Sequence, residues 1–208
     1  MKFVFNRDGE GIRNWDETNR ALEKDLETVR SGKDCGEEEL KVYLLKAVEA
    51  ANVDEEKEYA FWEYAEPASM PADARCEYVY RPTYLMTLIM VNSINRYPGL
   101  MKVAAVEETL RFALNACTGR GMNGHGDNDY EGLCGNVLLF LKNGIVQFMK
   151  NWPLFSIQFE GMFRNALNRI EYDYTAGKYT GDSWGNSCEE VQKAIVEIRH
   201  KTTNEAIA

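Results

Sequence analysis

The stretch CTGRGMNGHGDNDYE, from Cys117 to Glu131, decides the fold, because it separates two runs of helical periodicity that resemble one another. Its four glycines, with His125, Asp127 and Asp129 among them, exclude a continuing helix. On its N-terminal side the spacing predicts a helix over 82–96, nearly apolar all round from Tyr84 to Val91 and stopped by Tyr97-Pro98-Gly99. Pro82 suits the first turn of such a helix, where its missing N–H is no loss. An amphipathic helix over about 100–117 follows, with Val103, Val106, Leu110, Ala113, Leu114 and Cys117 inward and Glu107, Glu108 and Arg111 outward.

On the C-terminal side the order recurs. A broadly apolar helix from about Tyr130 to Lys150 ends at Asn151-Trp152-Pro153. An amphipathic one then carries Phe155, Phe159, Met162, Phe163, Ala166, Leu167 and Ile170, and runs into the loop AGKYTGDSWGNS. Tyr97-Pro98 corresponds to Trp152-Pro153, Ala113-Leu114-Asn115 to Ala166-Leu167-Asn168, and GHGDN to GDSWGN, at offsets of about fifty-three to sixty residues. The pattern reads as a repeated helix pair.

Helices that alternate between broadly buried and amphipathic, joined by Tyr/Trp-Pro turns at one end and long Gly-rich loops at the other, resemble the helical hairpins of α/α-toroid proteins over residues 80–186. The resemblance implies ligand sites at the loop end of the ring, often for carbohydrates or isoprenoids. At 208 residues the chain is too short for six hairpins, so a partial toroid or a compact bundle is expected.

Upstream, Ile12, Trp15, Leu22, Leu26 and Val29 mark an amphipathic helix that ends near Ser31-Gly32, with Glu23, Lys24, Glu27 and Arg30 filling the gaps. A second begins around Gly36, with Glu37, Glu38 and Glu39 in its first turn and an apolar face of Leu40, Tyr43, Leu44, Ala47, Val48 and Ala51. Residues 54–81 are the least periodic, with a short helix expected through 56–65 and a loop to Arg81. Phe3-Val4-Phe5 suits a short strand, and Ser187-x-x-Glu190 is a capping box opening a last helix with Val191, Ala194, Ile195 and Ile198 on its buried face. The expected fold is therefore all-α: about seven helices as antiparallel αα-hairpins with a short extended N-terminal segment. It forms one domain over 1–208, divided into an N-terminal hairpin (1–53), an aromatic and acidic connector (54–81) and repeated hairpins with the C-terminal helix (82–208).

With 45% hydrophobic and 27% charged residues the composition is that of a globular chain. A net charge of −9 and a pI near 4.9 argue against nucleic-acid or anionic-membrane partners, which need clustered Lys and Arg. The apolar run in MKFVFNRDGEG is too short for a signal peptide, and no run reaches a membrane span. Cys35, Cys76, Cys117, Cys134 and Cys188 are odd in number and form no C-x-x-C pair, which fits free thiols in a soluble cytoplasmic protein.

Candidate chemistry centres on the glycine-rich loop. His125, Asp127 and Asp129 alternate, so in an extended loop they project to one side and could share a divalent cation or act catalytically on a substrate. The competing reading makes Asn128 or Asp129 a helix cap and His125 a solvated side chain. Asp127 to Gly132 matches the opening of an EF-hand loop, but the twelfth position is Leu138 and the ninth Gly135, so the bidentate carboxylate is missing. Cys117, His125 and Cys134 could together hold a metal, and Cys117 or Cys134 with His125 and Asp127 contains the residue types of a nucleophile triad, although neither spacing matches a known signature. No cofactor is required by any motif.

Arg120, Asn123, Asp182, Trp184 and Trp62 are candidate ligand contacts. Glu63, Glu66 and Asp73 lie among the aromatics of 59–84, and Asp182 lies beside Trp184, as carboxylates do beside stacking rings in a sugar cleft; ordinary core and rim aromatics account for the same pattern. Gly119-Arg120-Gly121 lacks the Lys-Ser/Thr and the preceding strand of a phosphate loop. Two functional readings follow. One is an enzyme or binding protein for a small polar ligand, a carbohydrate among the options, at the loops 119–131 and 177–187. The other is a non-enzymatic helical module that binds a protein partner or forms a homodimer.

Overall fold

The computed structural model describes residues 1, 15–33, 35–62, 77–118 and 139–155. In order these form α1 (Trp15–Ser31), α2 (Glu37–Ala50), the strands β1 (Asn52–Asp54) and β2 (Tyr59–Phe61), α3 (Glu77–Arg96), a 3-10 helix (Pro98–Lys102), α4 (Val106–Thr118) and α5 (Ile145–Asn151), with further helical turns at 139–142 and 153–155. The described part is mostly helical with one two-stranded antiparallel sheet. None of its helices is long and apolar enough to cross a membrane.

The third helix is the centre of the packing. Every residue from Thr83 to Val91 is buried, as an all-round apolar run requires, and α1, α4, α5 and β2 all pack on it. Burying each Leu, Ile or Met here contributes roughly 1.5–3 kcal/mol. The polar residues in the run are satisfied within the helix or by its neighbour. Thr87 Oγ1 donates to the Thr83 carbonyl at 2.7 Å, Ser93 Oγ to Ile89 O at 2.7 Å, and Thr83 Oγ1 accepts the Trp62 backbone N–H at 3.0 Å.

Leu22, Leu26 and Val29 bury the stripe of α1, and Gly32 ends it at φ +70, the left-handed conformation that favours glycine. Arg96, at the end of α3, donates to the Gly32 carbonyl at 2.8 Å and lies 5.2 Å from the Tyr97 ring centroid, so the two helix ends are tied together. The second helix buries Leu40, Tyr43, Leu44 and Ala47. Consecutive in sequence, α1 and α2 make few close backbone approaches. They are joined by a buried hydrogen bond from Tyr43 Oη to Asp25 Oδ2 at 2.9 Å, while the backbone of α1 runs beside α3.

The structure departs from the sequence pattern at four places. The helix expected through 56–65 is a hairpin, with Asn52 opposite Phe61, Val53 opposite Ala60 and Asp54 opposite Tyr59. Asp54 Oδ1 accepts the Lys57 backbone N–H at 3.1 Å, and Glu58 turns the chain at φ +53, which no helix tolerates. The hairpin places Ala60 and Trp62 in the core, and Glu58 meets α4 through Arg111 at 3.2 Å and Asn115 at 3.1 Å.

The central helix starts at Glu77, leaving Pro82 inside it. Proline interrupts only one backbone bond, and burial on several sides outweighs that loss. The helix expected over 100–117 splits into the 3-10 helix and α4. Tyr97 is held out of the α region by Pro98 (φ −131, ψ 87), and Ala105 at φ +58 re-aims the chain before Val106.

The apolar run expected as one helix to Lys150 is broken at Asn143-Gly144, where Gly144 adopts φ +91 and opens α5. Asn92 and Asn95 of α3 clasp the break. Asn92 Nδ2 donates to the Asn143 carbonyl at 2.6 Å, and Asn95 Nδ2 to the Gly144 carbonyl at 2.9 Å.

The two aromatic-proline corners share one local geometry. Trp152 (φ −132, ψ 70) closes α5 by donating its N–H to Phe148 O at 2.9 Å, as Tyr97 donates to Ser93 O at 2.9 Å. Each aromatic carbonyl then accepts the N–H three residues on, from Phe155 and Leu100 respectively, both at 3.0 Å. The expected strand at 3–5, the helices after Phe155 and both Gly-rich loops lie outside the described residues.

Candidate functional site

A cleft of about 410 Å³ lies between α1, α3 and the 139–143 segment. From α1 come Glu23, Leu26, Glu27 and Arg30, whose i, i+3, i+4, i+7 spacing sets them along one side of the helix. Arg81 and Leu85, one turn apart, come from α3, and Leu139, Lys142 and Asn143 form the third wall. Each wall therefore gives one leucine and at least one polar side chain. The clasp of Asn92 on the Asn143 carbonyl fixes that third wall to α3.

The charges are arranged unequally. Arg81 Nη2 and Glu23 Oε1 are 2.8 Å apart and hydrogen-bonded, with side chains 27% and 43% exposed. Such a half-exposed pair contributes about 0–1 kcal/mol to stability, so its value lies in orientation. Arg30 approaches Glu27 only to 3.8 Å, beyond a hydrogen bond. Among the described lining residues, three cationic side chains and two carboxylates border the cleft. Among the described residues, no hydroxyl, thiol or imidazole lines the cleft, and no aromatic ring does.

Of the residues nominated from sequence, His125, Asp127, Asp129, Arg120, Asn123, Cys134, Asp182 and Trp184 lie outside the described residues. Trp62 is completely buried. Its indole N–H donates to the Ala47 carbonyl at 2.9 Å and its ring fills the core between α2 and α3, so it offers no face to a ligand. Cys117 also faces the core, with its Sγ 3.6 Å from Thr87 Oγ1. Burial pushes its pKa up to about 12, which keeps it a neutral thiol. Cys35 is likewise a free buried thiol, raised by burial and then by the Glu39 carboxylate. Among the described residues, no three His, Cys, Asp or Glu side chains gather as a metal site would.

Sequence reasoning passed over the cleft because Glu23, Glu27 and Arg30 look like the solvated side of an amphipathic helix. Their only distinguishing signal is Leu26 among them, and that signal needs α3 opposite to acquire meaning.

The described residues thus define a mostly helical fold with a three-walled cleft. No family model matches the chain, and neither the characterised proteins nor the solved structures contain a match to it.

Proposed function

We propose that this protein binds a small polar ligand non-covalently in the cleft between α1, α3 and residues 139–143. The observation that carries the reading is the convergence of Arg30, Arg81 and Lys142 over Leu26, Leu85 and Leu139 in one concavity. Ligand sites pair apolar floors with a few placed polar groups, and about 300–1,000 Å³ is their usual size. The glycine-rich loop ends at Glu131, about eight residues before Leu139, so His125, Asp127 and Asp129 belong to the same stretch of chain as the third wall. They are the next residues to probe for catalysis or cation binding.

A thermal-shift screen of sugars, nucleotides and organic acids tests the proposal, since any ligand of the native state raises its apparent stability. A hit whose shift disappears in Arg30→Gln or Lys142→Gln supports it. A hit indifferent to both changes, or no hit, removes it.

A second reading has its own observation. Val42 and Leu45 stand exposed on α2, 52% and 41%, one turn apart on the face opposite its buried residues. A helical module that docks a protein partner or a second copy would use such a face. Light scattering decides it: an oligomer that dissociates on Val42→Asp or Leu45→Asp favours this reading, and a monomer at all concentrations removes the homodimer.

A further inference from the structure

We infer that Asn143 is a site of spontaneous deamidation, and that its side chain reacts only when the clasp of α3 on the helix break opens. Asn143 is followed by Gly144, which has no side chain to hinder its backbone nitrogen on the way to the preceding amide. Asparagine is a thermolabile residue, and this pairing is its most exposed form.

The reaction balances without an oxidant or a reductant. Hydroxide takes the proton of the Gly144 backbone N–H, and that nitrogen attacks Asn143 Cγ. The new C–N bond closes a five-membered succinimide. The Cγ–Nδ2 bond breaks, and Nδ2 leaves as ammonia with a proton from water. A second water opens the ring at either carbonyl, giving aspartate or isoaspartate.

The folded structure opposes each requirement. Asn143 is only 7% exposed, which keeps hydroxide from the reacting atoms. Its Nδ2 donates to the Leu139 carbonyl at 2.6 Å, so the amide is held back on the preceding turn and must break that bond to reach the Gly144 nitrogen. Asn92 Nδ2 fixes the Asn143 carbonyl at 2.6 Å, and Asn95 Nδ2 the Gly144 carbonyl at 2.9 Å. Because a peptide unit is planar, holding the Asn143 carbonyl also holds the Gly144 nitrogen that must attack. Asn92 Oδ1 covers Gly144 as well, standing 2.5 Å from where a Cβ would be.

The break nevertheless uses this labile pair. A φ of +91 favours glycine at 144, and the Asn143 amide supplies the donor for the Leu139 carbonyl. Reaction undoes the arrangement. Aspartate sets a carboxylate oxygen against the Leu139 carbonyl, and isoaspartate lengthens the main chain by a carbon where Asn92 holds it.

The test incubates the whole chain in mildly alkaline buffer, native and in guanidinium chloride, and follows the peptide carrying Asn143 by mass spectrometry. In denaturant Asn143 should convert at a rate similar to that of Asn123, which also precedes a glycine and serves as the unfolded reference. In the native chain Asn143 should convert at least about tenfold more slowly than in denaturant, since only the open fraction reacts. Asn92→Ala should raise the native rate about tenfold and leave the denatured rate unchanged. Tyr43→Phe, a destabilising change remote from the break, should raise it far less. The deamidated fraction, isolated, should unfold at lower denaturant than the intact chain.

A native rate equal to the denatured one overturns the protection, and that comparison needs no variant. No acceleration in Asn92→Ala, or an equal one in Tyr43→Phe, overturns the clasp as the gate. An unchanged unfolding midpoint after deamidation overturns the damage assigned to the products.

Discussion

The side-chain amide of Asn92 donates to the backbone carbonyl of Asn143 across 2.6 Å, joining residues fifty-one positions apart at the point where a helix breaks. The same amide nitrogen also meets the Leu88 carbonyl at 2.8 Å, and Asn143 Nδ2 donates in turn to Leu139 O at 2.6 Å. A helix break inside a packed bundle strands carbonyls away from water, and this amide supplies a donor to one of them. Asn92→Ala is therefore expected to lower unfolding free energy by about 1–3 kcal/mol. Urea titration measures it: the midpoint should fall with the slope unchanged, and a loss under about 0.5 kcal/mol would show the clasp to be incidental.

Gly144 gives a sharper form of the same argument. Its φ of +91 is costly for any other residue, and a Cβ there would stand 2.5 Å from Asn92 Oδ1. Gly144→Ala should cost about 2–4 kcal/mol, part from the left-handed backbone and part from the collision. In the Asn92→Ala background the 2.5 Å collision is gone and the tightest remaining neighbour is Asn95 Nδ2 at 3.2 Å, so the added cost should drop to about 1–2 kcal/mol. Strict additivity of the two changes would refute the contact.

The hydroxyl of Tyr43 bridges α2 to the carboxylate of Asp25, both buried. Tyr43→Phe keeps the ring's packing and removes one donor from a buried carboxylate. A cost of about 1–3 kcal/mol is expected from chemical denaturation, and a neutral outcome would mean that solvent or another group takes the hydroxyl's place.

Cys117 gives a pH prediction with a definite sign. Its folded pKa is raised to about 12 by burial, from an ordinary value near 9. Stability is whole below the unfolded value and is lost as pH climbs through 9 toward 12, by up to about 1.4 kcal/mol per pH unit, because the unfolded thiol ionises first. Cys117→Ala lacks this loss and leaves a small cavity costing about 1 kcal/mol at neutral pH. The variant's deficit should thus shrink between pH 9 and 11 in parallel denaturation series. A constant deficit would mean that the thiol ionises as readily folded as unfolded.

Trp62 separates a packing role from a binding one. Trp62→Phe should cost about 1–3 kcal/mol, through the lost bond to Ala47 O and incomplete filling of the core. Any ligand found by thermal shift should bind the variant with unchanged affinity. Weakened binding without lost stability would return Trp62 to the ligand site.

Local signals in the chain were legible wherever one residue type has one conformational consequence. Gly32 ends α1 in the left-handed region, three glutamates open α2, and both Tyr97-Pro98 and Trp152-Pro153 turn the chain because proline bars its predecessor from the α region. The all-round apolar run of Tyr84 to Val91 announced a central helix and is one. The Lys142-Asn143-Gly144 break could also have been read, since Asn-Gly after an apolar run is a helix-ending signal, but the hydrophobic run on both sides masked it.

The sequence by itself thus determined the helical class, most helix ends and the burial of α3, because these depend on periodicity and on backbone sterics within a few residues. Tertiary structure alone decided the hairpin at 52–61, where Trp62 needed a place in the core, and the partner of α1, which is α3. It also decided the role of Arg30, Arg81 and Lys142. Those three are far apart in the chain, and only the packing of α1 and the Asn143-Gly144 break against α3 brings them to one cleft, because convergence is a property of distances in space that no local pattern encodes.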